Sequence, residues 1–383
     1  MPLTIVTNSS CFHGDRGAGS HPAHLGTPDR DNGEVMFDSP AKARKALEVA
    51  ESVAAGCKTI EIVYSERTPS FEALKLGHSA EYIHSLRRAS ETAAHHAGQA
   101  PIIPFGSEAA ASSGTFVAAT RAVGASFTAL DTVLKSPHST SFALVWPPGH
   151  HAERDQAMGF CYLSNAGLAA LYAANHSQRV DPTRPNRVAV IDIDHHRANG
   201  TASVLSGHER TLLVDLCYRS PYDMASGRYL DDAREYPYTK NDATRGIEGH
   251  PAAEAPNVLP IEFEGVQRPE RIIERFIAEG LPRLREFKPD VIIWSLGLDS
   301  LQGDPLGGLG NLPGSFYTLI RGLRCAFPGA RHAGVLEGGY DLPSFRDSLP
   351  PALLAFNEDP ASGASRSSLF KRYRSAFESV GEV

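Results

Sequence analysis

The chain has 383 residues, is 42% hydrophobic and carries a formal net charge of −7. It can therefore bury a large core, and it has no basic field to hold a nucleic acid or an anionic membrane. A neutral or cationic substrate suits it better. The five cysteines, Cys11, Cys57, Cys161, Cys217 and Cys325, are widely spaced and include no Cys-x-x-Cys pair. That pattern argues against a disulfide frame or a thiolate zinc site and fits a reducing cytoplasm. No charged start followed by an apolar block occurs, nor any run of about 18 apolar residues, so a soluble, unexported, cytoplasmic protein is expected.

In chain order, Leu3–Thr7 reads as a strand, followed by a Gly/His/Asp-rich loop through Val35 that is long enough to suggest a role of its own. Ser39 and Pro40 read as N-cap and first helical residue of a helix that Gly56 stops. Thr59–Tyr64 is a strand, His78–Tyr82 opens a helical stretch, and Ser113 to Leu134 is a long alanine-rich helix. From Phe142 onward strand, loop and helix alternate, the mark of a parallel sheet. Phe142–Val145 runs into a Pro-Pro-Gly-His-His turn, and a helix resumes over Ala166–Ala174. Val188–Asp192 is a β-branched run without polar alternation, as in a strand buried on both faces. Thr211–Cys217 and Val291–Asp299 are further strands, and His332–Tyr340 is the last strand and turn, before a closing helix from Ser344 to Phe356. Between Tyr218 and Asn257 lies a polar excursion suited to a rim or lid. Residues 357–383 read as a peripheral segment. No linker divides the chain, so we expect a single α/β domain over 1–383, with its core at about 36–356 and helices on both faces of a mostly parallel sheet.

Four strand ends thus deliver polar groups to one crevice: His150 and His151; Asp192, Asp194 and His196; Asp299; and Tyr340. In an open parallel sheet reactive groups gather at the carboxyl ends of strands. Asp194 and His196, at period two, should face the same side and share a cation, with Asp192 pointing the same way. Adding Asp299 gives two hard oxygens and one imidazole, a donor set suited to a catalytic zinc or ferrous ion with open positions. His195 should face away. The His95–His96 pair should be surface, and Cys161 and Cys217 small core residues. Glu81, Glu108 and Asp304 could meet a cationic substrate, although Asp304 before Pro305 reads better as organising its turn.

Taken together, these segments resemble the histone deacetylase and acetylpolyamine amidohydrolase family, with its arginase-like α/β fold. The matching pieces are Pro147–Ala152, Gly159–Asn165, Asp192–Thr201, Ser295–Ser300 with Gly303–Gly308, and Leu336–Tyr340, in the family's order. The resemblance implies zinc bound by Asp194, His196 and Asp299, which polarises an amide carbonyl and activates water. It also implies His151 as general base and acid, held by Asn199, with His150 beside it as an electrostatic partner oriented by Asp192, and Tyr340 as oxyanion donor. Gly159, Phe160, Tyr236, Gly338 and Gly339 would line the path of the acyl-bearing amine. A potassium site would draw on Asp192, Asp194, His196, Asp215 and Leu216.

Three departures stand out. Arg197 and Ala198 follow His196 where the family has His or Gln and then Gly. Asp215-Leu216-Cys217 replaces a Ser-Leu-His strand, adding a carboxylate to the cation site. Phe37 to Arg44 replaces the early His-Pro-Glu segment. The implied substrates are small cationic acetylated amines or acyl-lysine peptides, with no nucleic acid or membrane partner and a homo-oligomer left open. Two alternatives remain: a catalytically silent acetyl-amine-binding protein, and a binuclear ureohydrolase, which would need further Asp ligands after Asp299.

Overall fold

The computed structural model describes residues 1–11, 40–95, 103–106, 109–219, 222–223, 228–229, 255–362 and 367–378. The long early loop, Phe37 to Ser39, His96, Glu108, Tyr236 and most of the polar excursion lie outside them. At the centre is one eight-stranded sheet whose strands all run parallel: β1 (Leu3–Thr7), β2 (Ile60–Tyr64), β3 (Thr140–Ala143), β4 (Val188–Asp192), β5 (Thr211–Arg219), β6 (Val258–Glu264), β7 (Val291–Leu296) and β8 (Arg331–Leu336). Their spatial order is β2-β1-β3-β8-β7-β4-β5-β6. The four strands whose ends carry the candidate site residues, β3, β8, β7 and β4, are therefore adjacent at the middle of the sheet. Their carboxyl ends open on one crevice, as the reversal of strand order in such a sheet requires.

Alternate residues of each central strand enter two separate cores. In β4, Ala189 and Ile191 face one, and Val188 and Val190 the other. Helices cover both faces, as an all-parallel sheet requires. On one side lie α1 (Pro40–Ala55), α6 (Pro269–Arg275), α7 (Leu281–Phe287), α8 (Pro313–Ala326) and α9 (Phe345–Asn357). On the other lie α2 (Ala80–His95), the alanine-rich α3 (Thr115–Lys135), α4 (Asn165–Asn175) and α5 (Asn199–Leu205). Among the described residues no helix is long and apolar enough to cross a membrane.

Three of the differences from the sequence reading stand out. Strand β6, which contains Pro260, falls where no element was assigned. It forms because it is an edge strand pairing only with β5, and edges tolerate proline. The segment after Asn357 is not merely peripheral: α10 (Ser368–Glu378) buries Phe370, Tyr373 and Phe377 in the core, with Phe377 lying over Gly322 of α8. Finally, β4 ends at Asp192, so Asp194 and His196 sit in a bend beyond it. Strand alternation does not bring them together; side-chain bonding to the backbone of that bend does.

Candidate active site

The bend after β4 is built by its own carboxylates. Asp192 Oδ1 accepts from the Asp194 amide (3.0 Å) and Asp194 Oδ1 from the His196 amide (2.9 Å), a short-range closure typical of aspartate turns. Across the crevice, the turn after β7 brings Asp299, whose Oδ1 accepts from the His195 amide at 3.1 Å. One ligand atom from each of Asp194, His196 and Asp299 lies within 4.8 Å of the others, and all three residues are buried. His196 Nδ1 faces both carboxylates, at 3.2 Å from Asp194 and 3.0 Å from Asp299, while its Nε2 meets the Leu306 carbonyl at 3.1 Å. Donation from Nε2 to that carbonyl leaves Nδ1 as the ligand atom, the outer bond that orients metal-binding imidazoles.

The electrostatics suit a cation. Burial opposes charge on His196, but the two carboxylates override it and raise its pKa to about 10. Burial, and then the nearby Asp194, push Asp299 up to about 7. A site that holds a proton so tightly carries surplus negative charge, which a divalent ion would neutralise on displacing that proton. Among the described residues this is the one such group, so no second cluster supports a binuclear site.

His150 and His151 come from the turn after β3, with ring centroids 3.9 Å apart. His151 Nδ1 bonds Asn199 Oδ1 at 2.7 Å. Asn199, the first residue of α5, is itself fixed by donating from Nδ2 to Glu153 Oε1 at 2.7 Å. Because the asparagine oxygen only accepts, Nδ1 carries the hydrogen and Nε2 keeps its lone pair. Burial, and then the charges on His150 and His196, hold His151 well below the ordinary histidine pKa. His150 goes the other way: burial works against its charge, but Asp194 and Asp192 raise its pKa well above the usual value. Its nitrogens lie 3.6 Å from Asp192 Oδ2 and 3.7 Å from Asp194 Oδ1. One imidazole kept neutral beside one kept charged is the division that acid–base chemistry uses.

Tyr340 follows β8 through Gly338 and Gly339. A Cβ on Gly338 would lie 2.4 Å from Asp299 Oδ2 and 2.5 Å from Asp194 Oδ2, so only glycine fits there; Gly339 holds φ at 132°. The Gly338 amide donates to Asp194 Oδ2 at 3.0 Å. Phe160 packs edge-on to the Tyr340 ring, centroids 5.7 Å apart. Gly159 and Phe160 are the two central residues of a tight turn closed by Met158 and Cys161, both at positive φ (51° and 66°), an uncommon conformation for phenylalanine. His195 stacks on Tyr218, centroids 4.8 Å apart. Glu81 is exposed, and Cys161 and Cys217 are buried.

Two residues that the sequence did not single out, Lys42 and Glu337, and one it gave only its own turn, Asp304, also build the site. Asp304 does more than organise its own turn: besides the Leu306 amide (3.0 Å), its carboxylate accepts from the amides of Tyr340 (2.8 Å) and Asp341 (3.1 Å). Lys42 of α1 is buried, donates to the Glu337 carbonyl at 2.8 Å and stands 5.3 Å from the Tyr340 ring centroid. Glu337, fully buried, bonds the His150 turn rather than its own. A signal for Lys42 existed in the sequence, as a charged residue on the apolar face of α1 between Pro40 and Ala43. For Glu337 there was none beyond an acid after a buried strand.

Asp192 and Asp215 are register partners on β4 and β5, both fully or almost fully buried. Asp215 Oδ2 accepts from the Ala198 amide at 3.2 Å, whereas Asp215 Oδ1 and Asp192 Oδ2 have no hydrogen-bond partner among the described residues. Burial, then Asp192, raise Asp215 to about 7. Leu216 is the next residue on β5. Arg197 donates to Glu262 Oε1 of β6 at 2.7 Å, and Arg219 to Glu262 Oε2 at 3.1 Å. Its guanidinium is thus committed to β6.

Residues 38–355 match the family model described as "Histone deacetylase domain". The chain is 30% identical over 335 residues to human "Polyamine deacetylase HDAC10", covering 86% of this chain and 46% of that protein. It is 27% identical to "Histone deacetylase 18" of Arabidopsis thaliana, over 92% of this chain and 49% of the relative. It is 31% identical to the "Histone deacetylase-like amidohydrolase" of Pseudomonas aeruginosa, over 71% of this chain and 64% of the relative. The chain spans about half the length of the first two of these relatives. In fold it resembles the acetylpolyamine aminohydrolase of Burkholderia pseudomallei (TM-score 0.67, 20% identity, 93% of this chain and 98% of that one). It likewise resembles the HDA15 HD domain (TM-score 0.69, 22% identity, 93% and 88%). With the family model spanning residues 38–355, which include all four of these strand ends, and a fold shared with solved structures of this kind, the chain belongs to the histone deacetylase family.

Proposed function

We propose that the chain is a metal-dependent amidohydrolase that removes an acetyl or related acyl group from a primary amine, of the acetylpolyamine or acyl-lysine class. One observation carries this reading: His151, an imidazole kept neutral by burial and oriented through Nδ1 by Asn199, stands in the same crevice as a buried Asp194–His196–Asp299 cluster charged to accept a cation. Names of relatives supply the substrate class, since a polyamine deacetylase and an acetylpolyamine aminohydrolase are among them. The excess of acidic residues agrees with a cationic amine.

Asp194, His196 through Nδ1, and Asp299 would hold zinc or ferrous iron, which supplies Lewis-acid polarisation of the amide carbonyl and acidification of water. His151 takes the water's proton at Nε2 and returns it to the departing amine, with Asn199 keeping the ring in the required tautomer. His150, protonated against Asp192 and Asp194, adds positive charge beside the developing oxyanion. Tyr340 donates its hydroxyl to that oxyanion, and Gly159, Phe160, Gly338 and Gly339 line the approach. Asp192, Asp215 and the carbonyls of Asp194, His196 and Leu216 would hold potassium, for which Asp215 Oδ1, buried without a hydrogen-bond partner among the described residues, is a fitting group.

The test is turnover of acetylated polyamines, acetyl-lysine peptides and longer acyl-lysines by chelator-stripped and zinc-reconstituted protein, with metal analysis of each sample. Hydrolysis of at least one class that vanishes on stripping and returns with about one zinc per chain is expected. Hydrolysis indifferent to metal, or none of any class, refutes the proposal.

A further inference from the structure

Glu337 is the first residue beyond β8, fully buried, and its side chain and backbone serve different turns. Its Oε2 accepts from two successive amides of the histidine turn, Gly149 at 2.7 Å and His150 at 3.1 Å. Its Oε1 faces Ser295 Oγ of β7 at 3.3 Å. Its own amide donates to the Leu296 carbonyl at 2.9 Å, and its carbonyl receives Lys42 Nζ at 2.8 Å. One residue on, the Gly338 amide reaches Asp194, and Tyr340 follows two residues later. Glu337 therefore ties the turn that carries His150 and His151 to the end of β7, from which the Asp299 turn departs, and lies three residues before Tyr340. A fully buried acid is costly to keep unless something depends on it. Amides pointed at a carboxylate form the stronger, shorter class of hydrogen bond, and such bonds fix a turn more tightly than packing does.

We propose that Glu337 is a positioning residue for the hydrolytic reaction: its carboxylate clamps the Gly149–His150 backbone so that the two imidazoles stay in register with the Asp194–His196–Asp299 cluster and with Tyr340. Without the clamp the histidine turn has lost its acceptor for two adjacent amides and drifts from the cluster. The cost falls on the chemical step and not on the binding of substrate, which the tunnel residues determine. This inference rests on the amidohydrolase reading.

The experiment uses zinc-loaded protein and the best substrate of the screen above, with active sites counted by titration with a hydroxamate inhibitor and zinc measured per chain. Glu337→Ala is expected to lower kcat per titrated site by about 30- to 100-fold, the scale of a misplaced catalytic group, with KM changed less than about threefold. Glu337→Gln keeps an acceptor oxygen for the two amides and is expected to recover kcat to within about fivefold of wild type. Glu337→Asp, which keeps the carboxyl group but withdraws its oxygens by one methylene, is expected to lose about tenfold and serves as the readout should the alanine variant not fold. A purely structural role predicts fewer titratable sites with unchanged kcat per site, and that result overturns the inference. So does a glutamine variant as slow as the alanine one. A wild-type chain without amide hydrolysis overturns the amidohydrolase reading itself, and this inference with it.

Discussion

Gly338→Ala tests the coupling of the glycine turn to the cation cluster. The added Cβ would sit 2.4 Å from Asp299 Oδ2 and 2.5 Å from Asp194 Oδ2, whereas real Cβ atoms are essentially never closer than 3.0 Å to a neighbour. The carboxylates cannot swing aside cheaply, because Asp194 is held by the amides of His196 and Gly338, and Asp299 by that of His195. Relief therefore requires both ligands to retreat by about half an ångström, beyond the ~0.2 Å over which metal–ligand distances are tolerated. Loss of ligand placement of this kind weakens metal binding by roughly 10- to 100-fold, about 1.4–2.8 kcal/mol. Zinc competition against a fluorescent chelator measures it directly, with thermal unfolding of the apo form as the control for folding. Wild-type zinc affinity in Gly338→Ala would show that the cluster does not bind the ion, or that the turn is far softer than its hydrogen bonds imply.

Tyr340→Phe should retain zinc and lower kcat by about 10²–10³-fold, the usual loss for one oxyanion donor, and an unchanged kcat would remove Tyr340 from the mechanism. His78 offers a pH test away from the cluster. Its Nδ1 donates to the Glu153 carbonyl at 2.9 Å and its Nε2 accepts from the Ser164 amide at 3.0 Å, so burial in a site made for the neutral ring lowers its pKa from 6.5 to about 4. The unfolded chain then binds the extra proton first, so this stability is fully present above pH 6.5 and is lost as the pH falls through about 4, on the order of 3 kcal/mol in all. Urea unfolding of wild type and His78→Gln across that window should show a shallower pH slope in the variant, and parallel slopes would contradict the assignment. Phe377→Ala should cost about 3–5 kcal/mol in the same assay, since Phe377 is 1% exposed over Gly322; a cost below 1 kcal/mol would mean that α10 is dispensable to the core.

Local sequence determined much of the chemistry. An unbroken β-branched run such as Val188–Ile191 can only be a strand buried on both faces, and glycine or proline beside histidine and aspartate marks where such strands turn. These are short-range signals, readable without knowing any partner, and they pointed to His150, His151, Asp194, His196, Asp299 and Tyr340. What tertiary structure decided depends on neighbours far apart in the chain. The order β3-β8-β7-β4 is set by pairing across many residues, and it alone places four strand ends side by side. Strand β6 contains Pro260, which its edge position makes tolerable, and the burial of Phe370 and Phe377 depends on α8 being there to receive them. Asp194 and His196 were expected together for the wrong reason, since a carboxylate-bonded bend rather than strand alternation joins them. The reach of Glu337, Lys42 and Asp304 into neighbouring turns was not readable, because a hydrogen bond between segments distant in the chain leaves no periodicity in the sequence.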